Sequence, residues 1–85
     1  MKNRIMISVY VPSLDETYDM WIPFGDRLGS ITELICKMIY ELTDGIFNYE
    51  QGYALIDPDT AEPYDLNKSL KDTNIRNNKK VIIWI

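Results

Sequence analysis

The segment from Ser30 to Thr43 constrains the fold of this chain more than any other part of the sequence. Its apolar residues recur at i, i+3, i+4, i+7, i+8 and i+11, and they are Ile31, Leu34, Ile35, Met38, Ile39 and Leu42. At about 100° per residue these side chains fall on one stripe of an α-helix. The spacing therefore predicts an amphipathic helix that buries this stripe.

Both ends of the predicted helix carry sequence signals. Ser30 and Glu33 match a capping box, in which the two side chains satisfy backbone N–H groups of the first turn. Gly45 follows the last periodic residue, at the place where a left-handed residue ends many helices. The rest of the chain is expected to form a sheet that covers the helix stripe.

Alternating apolar and polar residues predict two strands before the helix. The inward-facing residues are Ile5, Ile7, Val9 and Val11 in the first strand, and Tyr18, Met20 and Ile22 in the second. Trp21 and Asp19 face the other way. Because only a short turn separates the two strands, we expect an antiparallel hairpin.

Further strands are predicted after the helix, at residues 53–56, at 81–85 and, very short, near 63–64. Leu66 and Leu70 predict one irregular helical turn. The run from Val81 to Ile85 is apolar on both faces, which is typical of a central strand. This order predicts an α+β fold of the β-grasp type, with a mixed four- to five-stranded sheet over one helix and the last strand parallel to the first.

Size and charge narrow the classes of function. The 85 residues are expected to form a single domain, residues 1–85. A net charge of −4 and a pI near 4.6 argue against nucleic acid as a partner. One cysteine cannot form an internal disulfide, and the apolar run Ile5–Val11 is too short for a signal peptide or a membrane span. We therefore expect a cytoplasmic protein without membrane insertion.

Over nearly its whole length the sequence resembles ubiquitin and its relatives. Its second half follows the ubiquitin order of a strand, a turn, an L-x-D-x-N-I segment and a final strand, in Leu55–Ile56, then Leu70, Asp72, Asn74 and Ile75, then Val81 to Ile85. Asp44–Gly45–Ile46 is similar to ubiquitin's exit from its helix. The resemblance implies the ubiquitin-like form of the β-grasp fold.

The first half is similar to one bacterial branch, the small ubiquitin-fold protein of Gram-positive type VII secretion systems (the YukD/EsaB type). The similarity lies in Thr17–Tyr18–Asp19, in Pro23 three residues after Met20, and in the helix soon after. It implies an accessory role in type VII (ESX-like) secretion, with the cytosolic part of a secretion membrane protein as partner.

The sequence also departs from ubiquitin. It stops at Trp84–Ile85, within the predicted last strand, without the Gly-Gly tail that conjugation and sulfur-carrier chemistry use. Thr73 replaces the tyrosine of the L-x-D-Y-N-I segment. A sulfur carrier or protein modifier is therefore the least favoured function, and the type VII branch likewise lacks Gly-Gly.

Few residue patterns suggest catalysis or metal binding. The sequence has no histidine, the commonest general base and metal ligand. Cys36 lies roughly 140° from Ile31 around the helix and has no basic neighbour on its side, so a packed or half-exposed thiol is expected. Asp57, Asp59 and Glu62 lack the glycine and final glutamate of an EF-hand loop, which favours a solvated acidic turn over a calcium site. We expect no enzyme activity, no cofactor and no metal ion.

A protein-binding surface is the remaining candidate site. In ubiquitin relatives the exposed sheet face carries an apolar patch, and the resemblance places Leu14, Ile56 and Trp84 there, with Ile82 adjacent. Alternation supports this independently, because Ile82 and Trp84 face away if Val81, Ile83 and Ile85 face the helix. An exposed tryptophan flanked by aliphatic residues is typical of an interface.

Two alternatives to this interpretation remain open. In the first alternative, nothing binds at Trp84, because it is covered by Met6, Tyr10 and the stems of Lys79 and Lys80. In the second, the apolar face or an edge strand is buried in a homodimer or larger homo-oligomer with a structural role. Trp21 is a weaker candidate for binding, because it is also suited to covering the edge of the sheet.

Overall fold

The computed structural model of the protein describes residues 3–85 and contains a five-stranded sheet and one α-helix. The elements are β1 (Arg4–Val11), β2 (Glu16–Pro23), α1 (Leu28–Leu42), β3 (Ala54–Asp57), β4 (Glu62–Pro63), a 3₁₀ turn (Leu70–Asp72) and β5 (Lys79–Trp84). The strand order is β2-β1-β5-β3-β4; β1 and β5 run parallel, and the other neighbours are antiparallel. The predicted β-grasp arrangement, with the last strand central, is confirmed.

One apolar core lies between the inner face of the sheet and α1. The buried strand residues are Ile7, Val9 and Val11 in β1, Met20 and Ile22 in β2, Leu55 in β3, and Val81 and Ile83 in β5. Phe47, Leu70 and Ile75 join them from the connecting segments. Ile85, which was expected to face the helix, is 38% exposed because it follows the end of β5.

The helix begins earlier than the sequence predicts. It starts at Leu28, and its N-cap residue Arg27 makes no side-chain capping hydrogen bond. The predicted capping box is wrong, because Ser30 already lies inside the first turn. The first turn is instead satisfied by the segment between β4 and the 3₁₀ turn. The Leu28 N–H donates to the Lys68 carbonyl and the Gly29 N–H to the Leu66 carbonyl, each at 2.8 Å.

The buried stripe of α1 is rotated from the predicted one. Its buried residues are Leu28, Ile31, Thr32, Ile35, Cys36 and Ile39. Leu34 and Leu42, both predicted to be buried, are 40% and 67% exposed. Thr32 is accommodated in the core because its hydroxyl donates to the Leu28 carbonyl at 2.8 Å, so its buried oxygen has a hydrogen-bond partner.

The helix ends in a Schellman motif. Thr43 is the C-cap residue, and Asp44 (φ 53°) and Gly45 (φ 84°) follow it in left-handed conformations. The Gly45 N–H donates to the Tyr40 carbonyl at 2.8 Å, and the Asp44 N–H donates to the Glu41 carbonyl at 3.3 Å. Gly45 therefore has the predicted left-handed backbone, but it is the second residue after the C-cap and not the first.

Candidate functional site: the outer face of the sheet

The strand register brings apolar side chains into one row across the outer face of the sheet. Tyr10 in β1 pairs with Ile82 in β5, Ile82 pairs with Ile56 in β3, and Ile56 pairs with Pro63 in β4. Directly paired side chains lie about 5 Å apart. Ile56 and Ile82, predicted from the sequence, are thus neighbours. Tyr10 was predicted only as a cover for Trp84, and Pro63 was missed, since placing both in this row needs the pairing order as well as the alternation.

Trp84 lies beside the middle of this row and is open to solvent. It follows Ile82 on the same face of β5, pairs with Ala54, and is 55% exposed. Two of the four side chains proposed to cover it lie elsewhere: Met6 is opposite Trp21, and Lys79 turns to the other side of the sheet. Tyr10 and Lys80 lie on the outer face, where the Tyr10 hydroxyl donates to Asp15 and Lys80 is exposed. We call Tyr10, Ile56, Pro63, Ile82 and Trp84 the apolar row.

Leu14 is separate from this row. It lies in the turn between β1 and β2, is half-buried, and packs against the core. A tight turn follows Val11, whose carbonyl accepts the Leu14 N–H at 3.1 Å. Sequence order alone placed Leu14 beside the row, but the turn directs its side chain to the core.

Trp21 occupies the opposite end of the outer face. It is also 55% exposed and lies on β2, at the edge of the sheet. A polar band separates it from the apolar row: the Ser8 hydroxyl donates to Asp19 at 2.7 Å, and Ser8 pairs with Lys80 on its other side. The two tryptophans therefore belong to different parts of the surface.

A buried ion pair ties the turn after β3 to the start of β5. Lys79 Nζ lies 3.0 Å from Asp57 Oδ1 and 3.0 Å from Asp59 Oδ2, while Asn74 Nδ2 donates to Asp57 Oδ2 at 2.8 Å. Hydrogen bonds from Asn74, from the Asp59 backbone and from Lys79 lower the pKa of Asp57 to about 2. The expected solvated acidic turn is wrong for Asp57, which is 5% exposed. The sequence analysis missed this ion pair because Asn74 and Lys79 lie far from Asp57 in the sequence.

The environment of Cys36 is unlike that of a nucleophilic cysteine. Burial, and to a smaller extent the charge of Glu33, raises the pKa of its thiol to about 12. The thiol therefore stays protonated near neutral pH, whereas nucleophilic cysteines need a lowered pKa. Over residues 3–85, no three metal-ligating side chains are grouped, and no helix has the length and apolarity to cross a membrane.

Comparison with known proteins gives a match in structure but not in sequence. No protein-family model matches this chain, and no curated protein sequence does. The ubiquitin-like domain of the Mycobacterium tuberculosis type VII secretion protein ECCD1 aligns with a TM-score of 0.75 at 12% identity, over 96% of this chain and 98% of that one.

Two other solved structures are similar. A chain of the MycP5-free ESX-5 inner membrane complex aligns with a TM-score of 0.76 at 13% identity over 95% of this chain, which spans 20% of that larger chain. A protein structure concerned with molecular mimicry of SUMO in DNA repair aligns with a TM-score of 0.70 at 15% identity, over 100% and 95% of the two chains. From the topology and these likenesses, the chain has the ubiquitin-like fold.

Proposed function

We propose that this chain is a non-catalytic ubiquitin-like module of the YukD/EsaB type that acts in a type VII secretion system. It works in the cytoplasm and docks on the cytosolic part of a secretion membrane protein. Two structural neighbours come from such systems, and this supports the assignment. The raised thiol pKa of Cys36 supports a role without covalent catalysis.

The observation that carries the proposal is the exposed tryptophan of the apolar row. Trp84 lies beside Ile82 and the paired Ile56, so an aromatic side chain and two aliphatic ones present a continuous apolar surface. Exposed aromatic residues at the centre of an apolar patch are typical anchors of protein interfaces. Leu14 is proposed to contribute less, because it lies apart from this surface and its side chain packs against the core.

The test is affinity capture from cytosol and from detergent-solubilised membranes of a host with a type VII system, comparing wild type with Trp84→Ala. Trp21→Ala is the matched control, since both tryptophans are 55% exposed on the same face. We expect wild type and Trp21→Ala to capture a secretion membrane protein. We expect Trp84→Ala to lose it by roughly tenfold or more. Equal capture by all three variants would contradict the assignment of this surface.

Homo-oligomerisation is the second candidate function, and the edge of the sheet favours it. β2 is an eight-residue strand with β1 as its only strand neighbour within residues 3–85, so one side of its backbone is open to pairing. Light scattering distinguishes the two candidates. A dimer lost in Trp21→Ala, together with no captured secretion protein, would favour self-assembly.

A further inference from the structure

β2 forms one edge of the sheet, and half of its backbone groups face the open side. The Phe24 N–H donates to the Asn3 carbonyl at 2.7 Å, in the same register as the ladder between β1 and β2. Hydrogen-bonded pairs alternate along an antiparallel ladder, so every second residue counted back from Phe24 bonds to β1. The residues between them, Thr17, Asp19 and Trp21, therefore direct their backbone N–H and C=O groups away from the sheet.

Few features protect this edge from pairing with another strand. Natural edge strands are commonly short, bulged, lined with lysine or interrupted by an inward-pointing charge. β2 has eight residues, its register with β1 is continuous, and its inward-facing residues Tyr18, Met20 and Ile22 are apolar. Pro23 removes a donor only at the end of the strand. Backbone donors and acceptors are therefore available from residue 17 to residue 21.

The outward side chains give this edge its chemical character. Trp21 is 55% exposed, and Met6 of β1 lies opposite it. Asp19 is exposed on the same face and accepts a hydrogen bond from the Ser8 hydroxyl at 2.7 Å. The edge thus presents an apolar position and an acidic position two residues apart.

The charges around Asp19 leave the edge acidic. No lysine or arginine occurs between residues 5 and 26, and Glu16 is a further exposed carboxylate of β2. Two cations share the outer face: Lys80, which is separated from β2 by β1, and Arg4, which lies near the far end of β2. Among the ion pairs of residues 3–85, none joins either cation to Asp19.

This charge argues against a second copy of the chain at the edge. In a two-fold antiparallel pair of β2 strands, registers centred on residue 18, 19 or 20 place the two Asp19 side chains opposite or diagonal to each other, about 5 to 8 Å apart. Like charges so close are destabilising. A register centred on Trp21 avoids this contact but pairs Asp19 with Pro23, which has no N–H to donate. A foreign strand with a cation opposite Asp19 has neither disadvantage.

We propose that the open edge of β2 binds an extended, cationic segment of a partner protein by antiparallel strand addition. The backbone of that segment pairs with Thr17, Asp19 and Trp21. A lysine or arginine of the segment lies opposite Asp19, and an apolar residue two positions away contacts Trp21. This inference does not rest on the proposed function, because the polar band at Ser8 separates this edge from the apolar row.

The probe is a fluorescein-labelled seven-residue peptide with threonine at both ends, lysine at the fifth position and valine elsewhere. The control peptide has glutamate in place of the lysine. We expect only the lysine peptide to bind, with backbone amide shifts in NMR concentrated in residues 16–22, and binding should weaken as salt is raised. No binding of the lysine peptide, equal binding of both peptides, or shifts concentrated outside β2 would overturn the proposal.

N-methylation of the lysine peptide separates backbone pairing from attraction between charges. In the added strand the lysine N–H points to the carbonyl of Asp19, whereas the N–H of the following valine points away from β2. We expect N-methylation at the lysine to weaken binding roughly tenfold or more, and N-methylation at that valine to weaken it by less than about threefold. Equal losses would contradict strand addition.

Three variants test the side chains. Asp19→Asn removes the charge and keeps an acceptor for the Ser8 hydroxyl, while Glu62→Gln makes the same change in net charge at the opposite edge of the sheet. We expect roughly fivefold weaker binding of the lysine peptide to Asp19→Asn and a change within about twofold for Glu62→Gln. Trp21→Ala should weaken binding roughly tenfold. Equal effects of the two charge variants would overturn the assignment of the cation to Asp19.

Stability and self-association complete the test. Asp19, Trp21 and Glu62 are exposed, so the thermal midpoint of each variant should stay close to that of wild type, and weaker binding is then not explained by unfolding. Light scattering should show a monomer in the absence of peptide. A dimer that Trp21→Ala dissociates and Asp19→Asn strengthens would overturn the proposal, because a second copy would then occupy the edge.

Discussion

Alternate residues of β5 face opposite sides of the sheet, and the two sides differ in what they contact. Val81 and Ile83 face α1 and are fully buried, and Lys79 reaches a buried carboxylate. Ile82 and Trp84 face outward, where Trp84 is 55% exposed. Val81 and Ile83 on one side are as strongly apolar as Ile82 and Trp84 on the other, so hydrophobicity alone does not tell which pair forms the core.

The difference between the two sides shows which residues of β5 already pack against other parts of the chain. The inner residues of β5 have partners within the chain, namely α1 and the turn after β3. The outer residues have neighbours only beside them in the sheet and no layer above them in residues 3–85. Substitutions on the two sides of one strand therefore separate the residues that stabilise the fold from those left for binding.

The largest effect is expected from Ile83→Ala, with Ile82→Ala as its partner on the other side of the strand. Ile83 is fully buried, so the lost contacts and the cavity should lower the free energy of unfolding by about 3 kcal/mol. Ile82 is half-buried, and about 1 kcal/mol is expected there. Urea denaturation of both variants measures the difference. Equal losses would mean that the outer face is also packed.

A smaller effect is expected from Lys79→Met, with Lys80→Met as its control. Lys79 is mostly buried against Asp57, and removing the ammonium leaves that buried carboxylate without its cation. We expect the free energy of unfolding to fall by about 2 kcal/mol. Lys80 is exposed, so Lys80→Met should stay within about 0.5 kcal/mol of wild type. Thermal denaturation of the two variants, run side by side, tests this.

The smallest effect is expected for the pH dependence of the free energy of unfolding that Asp57 causes. Its pKa is lowered from 3.8 to about 2 in the folded protein, so the unfolded chain takes up the proton first as the pH falls. The stabilisation is therefore complete above about pH 4 and is lost progressively as the pH falls through about 2. Urea denaturation between pH 5 and pH 2.5 should show a steeper decline in wild type than in Asp57→Asn. Parallel declines would contradict the lowered pKa.

Much of this fold was predictable because it depends on residue periodicity. Alternation in β1 and β2, and the run in β5, correctly gave the buried faces and the central position of the last strand. Helical spacing gave the existence of α1. Helical spacing did not predict which face of α1 is buried. Thr32 and Cys36 are only weakly hydrophobic, yet they are buried in the folded protein while Leu34 and Leu42 are exposed.

The candidate site was predictable only in part. Alternation was enough to turn Ile82 and Trp84 outward. The inclusion of Tyr10 and Pro63 needed the strand order, which joins residues far apart in the chain. Leu14 was placed by sequence order, and the turn geometry moved it to the core side. Leu42 was assigned to the buried stripe of α1, but it is exposed.

The element order, the two faces of each long strand and the left-handed backbone at Gly45 follow from local spacing or from the chemistry of one residue, so they could be predicted from the sequence. The start of α1, the face of α1 that is buried and the partners of Asp57 depend on tertiary contacts. Those features depend on partners remote in sequence: the Leu28 N–H donates to the Lys68 carbonyl, and Lys79 lies 22 residues from Asp57. Local sequence patterns do not predict contacts between segments that meet only in the folded protein.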